Sequence, residues 1–304
     1  MSLKSDAKCL VLGFPESYEQ ARELGELAGI SYADIELHKF PDGESKVTLP
    51  AELIKTCKHI IIYRSLDNPN EKLIELLLAA EGIKTFGGIK LTLIAPYLAY
   101  MRQDKAFNPG EVVSQKVIGK FLAECFDAVI TVDSHLHRIQ KLSQAIPAKL
   151  ALNLTATEPM AYFLRCNVER PLLLGPDEES RQWAEAIALH DKMDFAVASK
   201  ERKGDTEVII QLPVASFKGR NVVLVDDLAS SGQTLIETAR QLKQYQPKSI
   251  SVLVTHALFQ GDSIQQLHEA GVSNIWSCNS ISHVTNAVSL TGLLAESLKP
   301  TLAD

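Results

Sequence analysis

Short apolar runs alternate with amphipathic stretches along almost the whole chain, and this alternation restricts the fold more than any other feature. The runs at 9–13, 59–63, 90–95 and 128–132 read as strands, with helical patterns at 16–28, 70–85 and 112–125. After Pro147 the alternation restarts, with strands at 150–154, 171–174, 195–199, 208–211, 221–225, 249–255 and 275–277. Helical patterns accompany them at 158–166, 181–190, 235–245, 264–270 and 286–299. Strands separated by helices of this length pair in parallel through crossovers. The expectation is an α/β chain of two similar domains, 1–147 and 148–304, each a mostly parallel sheet flanked by helices. A length of 304 residues suits two such domains. The repeat is architectural, with no matching repeat of residues.

The segment Val222-Val-Leu-Val-Asp-Asp-Leu-Ala-Ser-Ser-Gly-Gln-Thr-Leu235 carries the most chemistry. A buried strand ends in Asp226 and Asp227, a loop of small residues follows, and then a helix. In open parallel sheets ligands bind at the carboxyl ends of strands, facing a helix N-terminus. Ser230, Ser231, Gly232 and Thr234 offer hydroxyls and unobstructed amides to one phosphate, with Gln233 among them. Asp226 and Asp227 are placed to take sugar hydroxyls, or a metal that bridges them. Together they point to a sugar phosphate.

Composition bounds the partners. The net charge is −6 with 22% charged residues, and no basic stretch is long enough for a nucleic-acid surface. An acidic chain that handles phosphates must concentrate positive charge locally and use a divalent cation. The five cysteines are odd in number and scattered, which fits reduced thiols in the cytoplasm. No apolar h-region opens the chain and no long apolar run crosses it, so no membrane is expected. Neither Gly-x4-Gly-Lys-Ser/Thr nor Gly-x-Gly-x-x-Gly occurs, against a P-loop kinase or a dinucleotide enzyme.

Four other strand ends are chemically equipped. Ala95–Lys105 contains Arg102, which can hold a phosphate bidentately, with Gln103 and Asp104 beside it. Val129–His137 ends a strand in Asp133, followed by His135. Leu172–Ser180 ends one in Gly-Pro-Asp177, whose carboxylate suits Mg²⁺. Ala198–Asp205 carries Lys200 and Arg202 in a charged stretch. A fifth segment, Lys39–Glu44, contains the turn sequence Pro-Asp-Gly.

These motifs, in this order, resemble those of ribose-phosphate pyrophosphokinases, over about residues 8 to 290. The 222–235 segment is also similar to the phosphoribosyl-diphosphate loop of phosphoribosyltransferases. The resemblance implies two phosphoribosyltransferase-like domains. It implies Mg²⁺-dependent transfer of diphosphate from ATP to the 1-hydroxyl of ribose 5-phosphate, giving 5-phosphoribosyl 1-diphosphate and AMP. It assigns Lys200 and Arg202 to catalysis on a mobile loop. Phe40, Asp42, Gly43, Glu44, Arg102, Gln103 and Asp104 fall to ATP. Arg202, Asp226, Asp227, Ser230, Ser231, Gly232, Gln233 and Thr234 fall to ribose 5-phosphate, and His135 and Asp177 to the metal. It further implies a homodimer or higher homo-oligomer, with Phe40 reaching a neighbouring subunit. The chain departs from the family's Pro-Asp-x-Gly-Gly at Glu179 and Ser180. That departure leaves open a pyrophosphokinase for a related pentose phosphate and a non-catalytic regulatory paralogue. A phosphoribosyltransferase would account for the 222–235 segment alone.

Overall fold

The computed structural model describes residues 9–302 except 137 and 204–206, and only the backbone of residues 200–203 and 207–209. The chain forms two compact units, one running to Leu154 and completed from Thr291 onward, the other Thr155–Leu290.

The first unit begins with β1 (Cys9–Gly13), α1 (Tyr18–Ala28) and β2 (Ser31–Asp34). A hairpin of β3 (Glu36–Lys39) and β4 (Ser45–Thr48) and a short α2 (Ala51–Ile54) follow. Then come β5 (His59–Tyr63), α3 (Pro69–Lys84), β6 (Lys90–Ile94), α4 (Ser114–Cys125), β7 (Ala128–Val132) and β8 (Leu150–Leu154). Among the described residues the main sheet is parallel throughout, in the order β2-β1-β5-β6-β7-β8. Every residue of β5 and β7 is buried. Strands covered on both faces need unbroken apolar sequence, which is why these runs do not alternate.

The second unit starts with α5 (Thr157–Asn167), β9 (Leu172–Gly175), α6 (Arg181–Asp191) and β10 (Asp194–Val197). A hairpin of β11 (Ser199–Lys203) and β12 (Glu207–Gln211) precedes β13 (Asn221–Ala229) and α7 (Gln233–Lys243). The unit ends with β14 (Ser249–Ala257), α8 (Ser263–Glu269), β15 (Asn274–Cys278) and β16 (Asn286–Val288). Its parallel sheet runs β10-β9-β13-β14-β15-β16. Counted by order of appearance within each sheet, both units read 2-1-3-4-5-6. Both insert their antiparallel hairpin between the second and third strands of the main sheet.

The structure departs in several places from the pattern expected of the sequence. Strand 150–154 pairs with β7, Leu150 opposite Ala128, so it closes the first sheet rather than opening a domain after Pro147. Residues 286–288 form an edge strand, not the start of the last helix. Asn286 anchors that strand by donating from Nδ2 to Ser277 Oγ and Cys278 O, both at 2.9 Å. The last helix, α9 (Thr291–Leu302), belongs to the first unit, where Thr291 Oγ1 donates to Glu23 Oε2 of α1 at 2.8 Å. No helix among the described residues is long and apolar enough to cross a membrane.

Candidate active site

In the second unit β13 continues through Ala229, past the apolar run that ends at Val225. Asp226 therefore sits inside the strand, opposite Val254 of β14. The Asp227 amide donates to Asp226 Oδ1 at 2.9 Å, and the Asp227 side chain is buried. Burial, and then the charges of Asp227 and Asp177, push the Asp226 carboxyl well above the usual carboxylate range. A cation or a hydroxyl donor placed here relieves that repulsion.

The loop after β13 is held from the β14 side, with Leu258 N donating to Ala229 O at 2.9 Å and Gln260 N to Ser230 O at 3.2 Å. Gly232 then takes a left-handed conformation, φ +67°, as the residue that opens α7. A side chain there would be strained, and the glycine lets the chain turn directly into the helix. The helix starts at Gln233, earlier than the expected 235, so Gln233 and Thr234 lie in its first turn. No side chain caps that turn. Uncapped first-turn amides at a strand's carboxyl end are suited to an anion.

Asp177 lies two residues past β9, the strand next to β13, and its charge acts on Asp226. Glu179 is exposed and Ser180 is buried. On the β11–β12 hairpin Lys200 pairs with Ile210 and Arg202 with Val208. The side chains of Lys200 and Arg202 lie outside the described residues.

In the first unit the loop after β6 leaves Arg102 exposed, with no ion-pair partner among the described residues. Gln103 Nε2 donates to Lys105 O at 2.9 Å, and Gln115 Nε2 donates to Met101 O at 3.3 Å, fixing the loop against α4. Asp104 is almost fully buried and ion-paired with Arg138. After β7 the chain turns sharply: Asp133 and His135 both have positive φ, +40° and +41°, and His135 N donates to Asp133 O at 2.8 Å. Positive φ in residues other than glycine concentrates at functional turns. Ser134 N donates to Asn153 Oδ1 at 2.9 Å, anchoring this turn to β8. Phe40, Asp42, Gly43 and Glu44 form the tip of the β3–β4 hairpin, closed by Phe40 N donating to Glu44 O at 2.8 Å. Phe40 is exposed there, edge-on to His38 with ring centroids 4.9 Å apart.

Comparison with known proteins decides the family. Residues 10–125 match the family model described as the N-terminal domain of ribose phosphate pyrophosphokinase, and residues 154–291 match the phosphoribosyl transferase domain. The ribose-phosphate pyrophosphokinase of Methanopyrus kandleri is 31% identical over 95% of this chain and 98% of that protein. The chain belongs to the ribose-phosphate pyrophosphokinase family. It is an enzyme of that family. The ribose-phosphate pyrophosphokinase of Saccharolobus solfataricus is 32% identical over 85% of this chain and 88% of its own. The fold matches the crystal structure of phosphoribosylpyrophosphate synthetase from Mycobacterium smegmatis, with a TM-score of 0.83 at 19% identity, over 97% of this chain and 99% of that one.

Within each unit, the residues singled out in the sequence gather at the carboxyl edge of a sheet or on its hairpin. The first unit brings Arg102, Gln103 and His135 to the ends of β6 and β7, with the Phe40 group on its own hairpin. The second brings Asp177, Asp226, Asp227 and the 230–234 loop to the ends of β9 and β13. Asp104 differs, since its carboxylate is engaged by Arg138. Arg138 was not anticipated; its signal was a cation three residues past His135 in the same strand-end loop. Ser180 was noticed only as a departure from the family pattern. Among the described residues no group of three or more His, Cys, Asp or Glu side chains is close enough to hold a metal ion. Mg²⁺ nevertheless suits Asp177 and the Asp226–Asp227 pair, because it takes one or two carboxylates and completes its shell with water and phosphate oxygens.

Proposed function

We propose that the chain transfers the β,γ-diphosphoryl group of ATP to the 1-hydroxyl of ribose 5-phosphate, forming 5-phosphoribosyl 1-diphosphate and AMP. The observation that carries this reading is the strand end at Asp226–Asp227, which opens into the 230–234 loop and the uncapped start of α7. The loop amides and the hydroxyls of Ser230, Ser231 and Thr234 hold the 5-phosphate, with Gly232 and Gln233 shaping the turn. Asp226 and Asp227 take the ribose hydroxyls. Arg102, Gln103 and Asp104 hold ATP, with Asp104 also ion-paired to Arg138. Phe40, Asp42, Gly43 and Glu44 meet the adenine of a neighbouring copy in a homodimer or larger homo-oligomer.

Diphosphoryl transfer asks the protein mainly for positioning and charge. Lys200 and Arg202 supply positive charge to the transferred group, and closure of their hairpin excludes water. Asp177 in the second unit and His135 in the first are each suited to hold Mg²⁺, which would supply neutralisation of phosphate charge. No disulfide joins any of the five cysteines, which supports a cytoplasmic site of action.

The test is AMP formation from Mg²⁺, ATP and ribose 5-phosphate by the purified protein. AMP that appears only with ribose 5-phosphate supports the reading, and no AMP with ATP still bound overturns it. A related pentose phosphate as acceptor is the second reading, favoured by the changed residues Glu179 and Ser180 beside Asp177. A panel of pentose phosphates separates the two.

A further inference from the structure

Ser180 is fully buried and opens α6, where a serine's side-chain oxygen ordinarily accepts from the helix's first-turn amides. Here it makes no such cap. Its hydroxyl turns back and donates to Asp177 O at 2.6 Å, and accepts from Asp177 N at 3.2 Å. Its own amide donates to Asp177 Oδ1 at 3.2 Å, and the Glu179 amide donates to the same oxygen at 3.1 Å. Gly175 makes room for this arrangement: a Cβ on Gly175 would lie 2.7 Å from Ser180 Oγ. The helix terminus is thus organised around Asp177 rather than around itself.

The consequence falls on the carboxylate. Oδ1 is committed to two backbone amides, and Oδ2 makes no hydrogen bond among the described residues. A carboxylate held in one orientation beside other acidic oxygens loses little freedom when a cation arrives, and preorganisation of this kind strengthens binding.

We propose that Ser180 is a positioning residue for the divalent cation: it locks Asp177 with one oxygen tied into the turn and presents the other as a single cation ligand. The inference rests on the proposed reading only in taking Asp177 as a cation ligand. It predicts that the substrate-free protein binds a divalent cation more tightly than a variant without the serine hydroxyl. Losing hydrogen bonds of this strength corresponds to about fivefold in an equilibrium constant.

The experiment is titration of the full-length, substrate-free protein with Mn²⁺, followed by the electron paramagnetic resonance signal of the free ion. Asp177→Asn serves as the reference. Expected are weaker Mn²⁺ binding by Ser180→Ala and Ser180→Gly, about fivefold, and a larger loss in Asp177→Asn. The Ser180 variants should keep the wild-type KM for ribose 5-phosphate, which a merely structural role would disturb. Should Ser180→Ala not fold, Ser180→Gly carries the same test, since glycine is tolerated where a helix begins. Wild-type Mn²⁺ affinity in a folded Ser180 variant overturns the proposal, and so does wild-type affinity in Asp177→Asn. If the wild type makes no AMP yet loses Mn²⁺ binding on these substitutions, the proposed reaction fails and the role of Ser180 stands.

Discussion

The two units share a strand order, yet the same position in each has opposite chemistry. In the first sheet Leu12 pairs with Ile62, and in the second Leu174 pairs with Leu224. Counting two residues on along the third strand reaches Arg64 in one unit and Asp226 in the other. Arg64 is buried and closed in by its own unit. Its Nε donates to Glu16 Oε1 at 2.7 Å, its Nη2 donates to Glu75 Oε2 at 2.5 Å, and its guanidinium carbon lies 3.8 Å from the centre of the Phe14 ring. Nη1 also donates to Lys72 O at 3.1 Å. Asp226 instead has Asp227 and Asp177 beside it, and their like charges add to burial in raising its carboxyl's hold on a proton. One strand end is satisfied from within, and the other gathers like charges. The lesson is that a parallel sheet offers such a place wherever strand order reverses, and side chains decide whether it stays available.

The comparison breaks most readily at Arg64. Arg64→Ala strands the buried Glu75, and stability should fall by about 3–5 kcal/mol in a urea unfolding series. A loss under about 1 kcal/mol would mean the Arg64 cluster does not hold the first unit's strand end closed. For the available strand end the matching prediction concerns the β11–β12 hairpin. Lys200→Ala should lower turnover by about 10²–10³-fold, with KM for both substrates nearly unchanged. Equal loss in KM would show that the lysine serves ground-state binding instead.

Acid should separate the units, because their titrating groups have opposite signs. His59 on β5 has its pKa lowered from 6.5 to about 4 by burial and then by the charge of Lys90. Its contribution to stability is present above the ordinary histidine value and is lost as pH falls from 6.5 through about 4. Asp226 is shifted upward, so the strain around it is absent at low pH and grows as pH rises through its folded value. Hydrogen exchange at neutral pH and at a pH midway between the two histidine values should show β5 losing protection while β13 does not. The loss on β5 should be about 2 kcal/mol. Loosening of both strands together would count against the assignment. The smallest effect is expected from Asp226→Asn in cation-free buffer, which should stabilise the protein near neutral pH by about 1 kcal/mol, read as a rise in unfolding midpoint. A fall would mean that the Asp226 charge is already compensated.

Much of this was legible in the residues. The continuous apolar runs of β5, β7 and the first half of β13 suited parallel strands, since strands covered on both faces bury consecutive side chains. Strand β2 was missed because its residues are half-exposed at a sheet edge and carry no clear period. Residues 286–288 were mistaken for helix because a run that short does not distinguish the two periods. At the candidate site, Asp226 to Thr234 could be read directly, as strand, loop and helix follow one another in sequence. Asp104 and Arg138 could not, because their pairing spans 34 positions.

The sequence alone determined the α/β class, the two-fold architecture and the small-residue loop that joins β13 to α7, because hydrophobic period and loop chemistry act between neighbours along the chain. Tertiary structure decided what depends on residues far apart. It put α9 with the first unit, matched Arg64 to Asp226 through strand register, and showed each hairpin entering at the same step of its sheet. It also turned the Ser180 hydroxyl onto Asp177. That bond spans only three residues, but Ser180 and Asp177 can meet only where Gly175 leaves space at the end of β9, and burial by the rest of the unit holds them there.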